Sequence, residues 1–252
     1  MQFVRKDEAV ESTVPVYLEQ RRDWGVAFQA IKKLMADGQD TAQVFRIMRA
    51  LNAGAAKKNY EKMASTVTGG RIAFERGELV AQLASSSCVA AFAPGTVGAA
   101  YRDWLGATGF SADGLADISK LDRSDDGNHP YAWMSRRSRD LHDLWHVLTG
   151  YKAEEDFGEI CLVAFSYAQT GGLGWAFIAS ISTLKFLSKS YGRAYAAAVW
   201  EAYRMGRNAK WLLGEDYAQV LNEPLSVARA RLNLRTPTKY LAIRETVSAI
   251  DA

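Results

Sequence analysis

Histidine is nearly missing from this chain, with three in 252 residues. Cysteine is scarcer still: Cys88 and Cys161 stand alone. They lie too far apart for a metal-binding or redox spacing, so a reducing compartment is expected, with both thiols as small buried residues. An excess of one charge is also lacking. Thirty-one basic against 28 acidic residues leave a formal charge of +3, too even a balance for a nucleic-acid footprint, and no nucleic-acid partner is expected. Internal repeats are absent, and low-complexity sequence is absent beyond the termini. With 48% hydrophobic and 23% charged residues, the composition is that of a soluble globular protein. The opening MQFVRKDEAVEST has no apolar run after its charges, which argues against a cleaved secretory signal and for a cytoplasmic location. Residues 1–15 are expected to be disordered or loosely packed.

Strand-like alternation is scarce too, whereas apolar spacing by three and four recurs. The expected fold is all-α: a single domain over 1–252, a multi-helix bundle. In WGVAFQAIKKLM, Trp24, Phe28, Ile31 and Leu34/Met35 fall on one face. Gly38 stops that helix, and Asp40 is placed to cap TAQVFRIMRAL. Thr96, after the Pro94-Gly95 turn, caps a helix that ends near Gly106 to Gly109. Residues 111–130, including SKLDRSDDGN, read as irregular. Beyond them come a helix over about 131–149, a partner from about Asp156, an apolar helix after Gly174 and the alanine-rich GRAYAAAVWEAYRMGRNAKWLLG. Pro224 then opens a short helix carrying Arg229, Arg231 and Arg235. Such an arginine run is read as a solvated face, with contact to anionic lipid as the alternative.

Residues 160–184, ICLVAFSYAQTGGLGWAFIASISTL, carry no charge. That length would span a bilayer. Gln169, the Gly171-Gly172 pair, Gly174 and several hydroxyl side chains weigh against it, and the glycines predict a split into two buried helices that open an apolar pocket.

The rare histidines cluster. In RDLHDLWHVLTGYKAEEDFGE (139–159), His142 and His146 stand four apart, so both imidazoles project from one side of a helix. Gly150 ends that helix, and Glu159 falls in the first turn of the next, within reach as a third ligand. Two His and one carboxylate leave coordination positions open, as a catalytic ion needs. Asp143 is turned about sixty degrees from His146 in a helix of 3.6 residues per turn. It is a candidate ligand, catalytic base or orienting partner. Packed histidines beside Leu141, Leu144, Trp145 and Leu148 are the competing explanation. Zincin proteases carry Glu beside the first histidine, and phosphohydrolases with a His-Asp pair draw on remote ligands, for which only His129 remains.

HDLWH with the later Gly158-Glu159 resembles the signature of the coenzyme Q (ubiquinone) biosynthesis protein four family. DTAQVFRIMRAL, PGTVGAAYRDWL and GRNAKWLLGEDYAQVLNEPLSVARARL resemble its other blocks, in its order. Twelve residues separate His146 from Glu159, one more than is usual in the family. This keeps Glu155 beside Glu159 as a candidate third ligand, with Gly158 favouring Glu159. The resemblance implies an all-helical fold, peripheral membrane contact at the inner face and polyprenylated benzoic-acid substrates. It further implies either oxidative decarboxylation with hydroxylation at ring carbon C1 or a non-catalytic, prenyl-lipid-binding scaffold for other quinone-biosynthesis enzymes. A homodimer is a further expected partner arrangement, and a metal-dependent prenyl-phosphate phosphohydrolase is a weaker alternative.

The expected site is then one divalent ion on His142, Asp143, His146 and Glu159, with Asp143 also in a catalytic role. Zinc, iron, cobalt and manganese all suit such ligands, but exchanging carboxylate for hydroxyl needs electron transfer, which zinc does not supply. An apolar cleft over 160–187 would hold the isoprenoid tail. Arg139, on the His142 face, would either pair with a substrate carboxylate or form a helical ion pair with Asp143.

Overall fold

The computed structural model describes residues 21–38, 40–115 and 129–251. The expectations for residues 1–15 and for SKLDRSDDGN (119–128) lie outside them. The described chain is helical throughout: α1 (Trp24–Ala36), α2 (Thr41–Leu51), α3 (Ala55–Ala64), α4 (Val67–Glu75), α5 (Leu79–Leu83), α6 (Ser86–Ala90) and α7 (Val97–Thr108) form its first part. The second part holds α8 (Pro130–Asp140), α9 (His142–Thr149), α10 (Asp156–Thr170), α11 (Leu173–Phe186) and α12 (Gly192–Asn208). After a 3₁₀ turn (Leu212–Gly214), α13 (Tyr217–Val220), α14 (Leu225–Arg231) and α15 (Thr238–Asp251) complete it.

Local chemistry sets several boundaries as the sequence leads one to expect. Thr96 Oγ1 accepts from the Ala99 N–H at 3.2 Å to start α7, and Gly109, at φ +71°, ends it. Gly171, at φ +69°, with Gly172 splits the charge-free segment into α10 and α11. Among the described residues no helix is long and apolar enough to cross a membrane. The helices converge on one core that runs from Ala27 to Val247, with Trp133, Trp145 and Phe165 near its centre. Helix α10 is central, packed on α11, α12 and α15.

Other expectations are corrected. Helix α1 buries Ala27, Ala30, Ile31 and Leu34, while Trp24 and Phe28 stay 46% and 50% exposed. The small alanines let α1 close on α2, which leaves the two rings at the margin against the edge of Phe177. Asp40 precedes α2 without a side-chain cap; its carboxylate instead accepts from Gln43 Nε2 at 3.0 Å. The helix expected over 131–149 is interrupted at Leu141, which separates α8 from α9. Cys161 is buried, but Cys88 is exposed, because the five-residue α6 turns only Val89 inward.

The arginines of α14 are tied into the fold and do not form a solvated face. Arg229 donates through Nε to the Leu148 carbonyl and through Nη2 to the Val147 carbonyl, both at 2.9 Å. Arg231 pairs with Glu215 and Glu223. Arg235 lies beyond the end of α14 and is exposed.

Candidate metal centre

Helix α9 is only eight residues long, too short to be stable without support from its surroundings. Its C-terminal carbonyls take the Arg229 guanidinium, and Gly150, at φ +84°, closes it with an N–H to the His146 carbonyl at 2.8 Å. His142 and His146 therefore sit on a fixed turn, with ring centroids 4.8 Å apart. The first turn of α10 brings up Glu159. Its Oε1 lies 3.1 Å from His146 Nε2, and its Oε2 lies 3.5 Å from His142 Nε2. The three ligand atoms fall within 4.8 Å of one another, and among the described residues no second group of three such side chains gathers this way.

The tautomer of His146 is set by its surroundings. Its Nδ1 lies 2.9 Å from the Tyr151 carbonyl, which only accepts, so Nδ1 carries the hydrogen. Nε2 is then left buried and without a hydrogen-bond partner, facing the Glu159 carboxylate. With Nδ1 committed to the Tyr151 carbonyl, Nε2 is the ring atom left to share a cation with the Glu159 carboxylate. The His–Glu separations suit a shared ion, since bonds of about 2.1 Å place neighbouring ligand atoms about 3 Å apart, while the two imidazole nitrogens, within 4.8 Å of each other, would draw together around it. The residues fit a divalent metal.

Without an ion, the same side chains hold one another as an ion pair. Burial alone would push the His142 imidazole down, but the charge of Glu159 and the hydrogen bond to Asp143 more than offset this and push it up to about 10. Burial would raise the Glu159 carboxyl, and His146 and His142 instead hold it well below the usual carboxylate range. Two flat rings flank the pair: Trp104 lies parallel to His146 and Trp175 to His142, each with centroids 6.3 Å apart.

Not every residue of the expected site joins the triad. Asp143 lies on the other side of the His142 ring, with Oδ1 3.3 Å from Nδ1, the position of a partner that orients a ligand. Glu155 points away, bound to the Tyr240 hydroxyl at 2.8 Å and to Arg244 Nε at 2.6 Å. Arg139 pairs with its neighbour Asp140 at 2.7 and 2.8 Å. Burial nonetheless raises the Asp140 carboxyl above its ordinary value. His129 caps α8.

Arg139, His142, Asp143 and Glu159 all open onto one cavity of about 720 Å³. Its apolar walls include Val44 and Met48 of α2, Ile160 and Val163 of α10, and Trp175 and Ile178 of α11. This is where the charge-free segment is expected to supply a cleft. Two contributors carry no sign of their role in the sequence. The Tyr151 carbonyl is backbone and carries no signature, and Trp175 comes from α11, outside the 139–159 stretch that holds the triad. Gly158 was legible as a pattern but not as a cause: a Cβ there would sit 2.0 Å from the Lys152 carbonyl oxygen. Only glycine lets the 151–153 turn lie against α10, which keeps Glu159 and the Tyr151 carbonyl in register.

Comparison with known proteins agrees with this architecture. The model of the family "Coenzyme Q (ubiquinone) biosynthesis protein Coq4" matches residues 13–238. Among curated relatives, the "Ubiquinone biosynthesis protein coq-4, mitochondrial" of Neurospora crassa is 28% identical over 187 residues, 73% of this chain and 51% of that protein. The relative of the same description in Yarrowia lipolytica is 27% identical over 205 residues, covering 79% of this chain and 71% of its own. The chain thus spans about half the length of the Neurospora relative. A crystal structure from Nostoc punctiforme PCC 73102 superposes with a TM-score of 0.60 over 84% of this chain and 98% of that one; at 22% identity the likeness concerns the fold alone.

Proposed function

The chain belongs to the coenzyme Q (ubiquinone) biosynthesis protein Coq4 family, and from that premise we propose that it acts in ubiquinone biosynthesis as a metal-dependent oxidative decarboxylase of a polyprenylated hydroxybenzoate. The observation that carries this reading is that the triad opens, through His142 and Glu159, onto a large and mostly apolar cavity. A ligand with a polar aromatic head and an isoprenoid tail matches both halves of that space. The net reaction exchanges the ring carboxylate for a hydroxyl. Dioxygen supplies the new oxygen, carbon dioxide leaves, and two electrons and two protons from a reductant carry the second oxygen away as water.

His142, His146 and Glu159 would hold the ion, which when redox-active supplies the electron transfer this exchange demands. The protein's own residues do the rest. Asp143 keeps the His142 ring oriented and is the carboxylate placed to exchange a proton near the head group. Arg139 lines the cavity, where its guanidinium can share its charge between Asp140 and a substrate carboxylate. Trp175 and the apolar wall exclude water from the head group. The exposed Leu184 and Leu187 beside Lys185, which reaches the cavity, form an edge suited to peripheral membrane contact through which a tail could enter. On this reading the partners are other quinone-biosynthesis enzymes and a second copy in a homodimer. The chain works at a membrane surface, in the cytoplasm at its inner face or, as the names of the relatives have it for those proteins, in mitochondria.

One observation favours a second reading. The triad joins α9 to α10, so an ion there would also brace a scaffold that binds prenyl lipid without turnover. A complementation assay with His142→Ala and Glu159→Ala separates the two. The decarboxylase reading requires loss of both bound metal and quinone, and unchanged quinone without metal overturns it. A scaffold would lose thermal stability with its metal, and the purified wild type would convert no prenylated hydroxybenzoate.

A further inference from the structure

The turn at 150–155 supplies none of the three triad side chains, yet it holds two of them in register. Its Tyr151 carbonyl fixes the His146 imidazole at 2.9 Å, and its Lys152 backbone is the surface against which Gly158, next to Glu159, is packed. What holds the turn comes from α15, about ninety residues further along the chain. The Tyr240 ring is fully buried, edge-on to Tyr151 with centroids 5.2 Å apart and tilted against Phe157 at 5.1 Å. Its hydroxyl accepts from the Lys152 N–H at 3.2 Å and donates to Glu155 Oε2 at 2.8 Å. One turn further along α15, Arg244 Nε donates to Glu155 Oε1 at 2.6 Å. The clamp thus grips the turn at both ends, at its first residues through a backbone N–H and at its last through a carboxylate.

We propose that Tyr240, Glu155 and Arg244 are positioning residues through which α15 sets the metal affinity of the His142–His146–Glu159 centre. The physical route is short. Loss of the Tyr240 hydroxyl leaves the Lys152 N–H and a Glu155 oxygen without their partner. The turn is then free to move, and the Tyr151 carbonyl moves with it. The His146 ring loses the contact that sets its tautomer and aim. Partners that orient a ligating histidine typically govern metal affinity by roughly 10- to 100-fold when removed. Glu155, a candidate third ligand in the sequence, takes on a different role here: it carries no metal and holds the turn that positions the ligands.

The inference rests on the metal reading above, and its test keeps the two apart. Tyr240→Phe and the nearly isosteric Glu155→Gln are compared with wild type by titration of the metal-free chains with Co²⁺. The visible absorption band reports ligand geometry, and competition with a chelator gives Kd. Arg231→Gln, which breaks the ion pairs with Glu215 and Glu223, serves as a control for lost stability of the fold. The expected result is a Kd raised roughly 10- to 100-fold with an altered band in both clamp variants. Arg231→Gln should lower the thermal midpoint while leaving Kd and band unchanged. Wild-type Kd and band in both clamp variants, at whatever thermal midpoint, would overturn the clamp while leaving the metal centre standing. Absence of saturable Co²⁺ binding by the wild type would overturn the metal reading, and the clamp with it.

Discussion

His142 governs the pH behaviour of the centre. In the metal-free protein its imidazole is held up to about 10 by Glu159 and Asp143 against the effect of burial. A raised histidine stabilises the folded state fully below the ordinary imidazole value of about 6.5, and that contribution fades as pH rises toward about 10. A metal takes the neutral ring, so binding must expel the proton. Calorimetric titration at pH 7 in buffers of different ionisation heat should therefore find about one proton released per ion, with affinity rising about tenfold per pH unit through neutrality. Binding without proton release would contradict this assignment. At Gly158 the constraint is steric: an alanine Cβ would lie 2.0 Å from the Lys152 carbonyl oxygen and 2.8 Å from its nitrogen. Gly158→Ala should cost about 1–3 kcal/mol in urea unfolding, as overpacking does, and should weaken metal binding as well.

At the scale of elements, α9 owes its place to groups far away in sequence. Arg229→Ala removes two charge-assisted bonds to the carbonyls of Val147 and Leu148, at an expected cost of about 1.5–3 kcal/mol by chemical denaturation. Arg235→Ala, at an exposed position, should stay within about 0.5 kcal/mol. Equal effects would remove the capping role of Arg229. The same contrast explains what the sequence made legible. Boundaries encoded by one residue and its neighbours, such as Thr96, Gly109 and the Gly171-Gly172 break, are local and readable. So is the i, i+4 pairing of His142 with His146. The break at Leu141, the marginal place of Trp24 and Phe28 and the capping by Arg229 depend on which helix lies alongside. A single helical period does not carry that information. Cys88 shows the limit of composition: cysteine is usually buried, but a five-residue helix has too little inner face to make it so.

On the scale of the molecule, a polar centre adjoins an apolar cavity, and each half can be altered alone. Ile178 is buried in the cavity wall on α11, one turn beyond Trp175, and is not one of the triad residues. Ile178→Trp should fill part of the space and weaken binding of a prenylated hydroxybenzoate at least tenfold, the effect of about 1.4 kcal/mol. Metal content should be untouched, as fluorescence titration and elemental analysis would each show. The triad itself is the central claim. The most direct test is the metal content, by mass spectrometry, of protein purified without added metal or chelator, alongside His146→Ala and Glu159→Ala. The account predicts about one divalent ion per wild-type chain and little in either variant. A wild type without stoichiometric metal, or a Glu159→Ala protein that retains it in full, would contradict it.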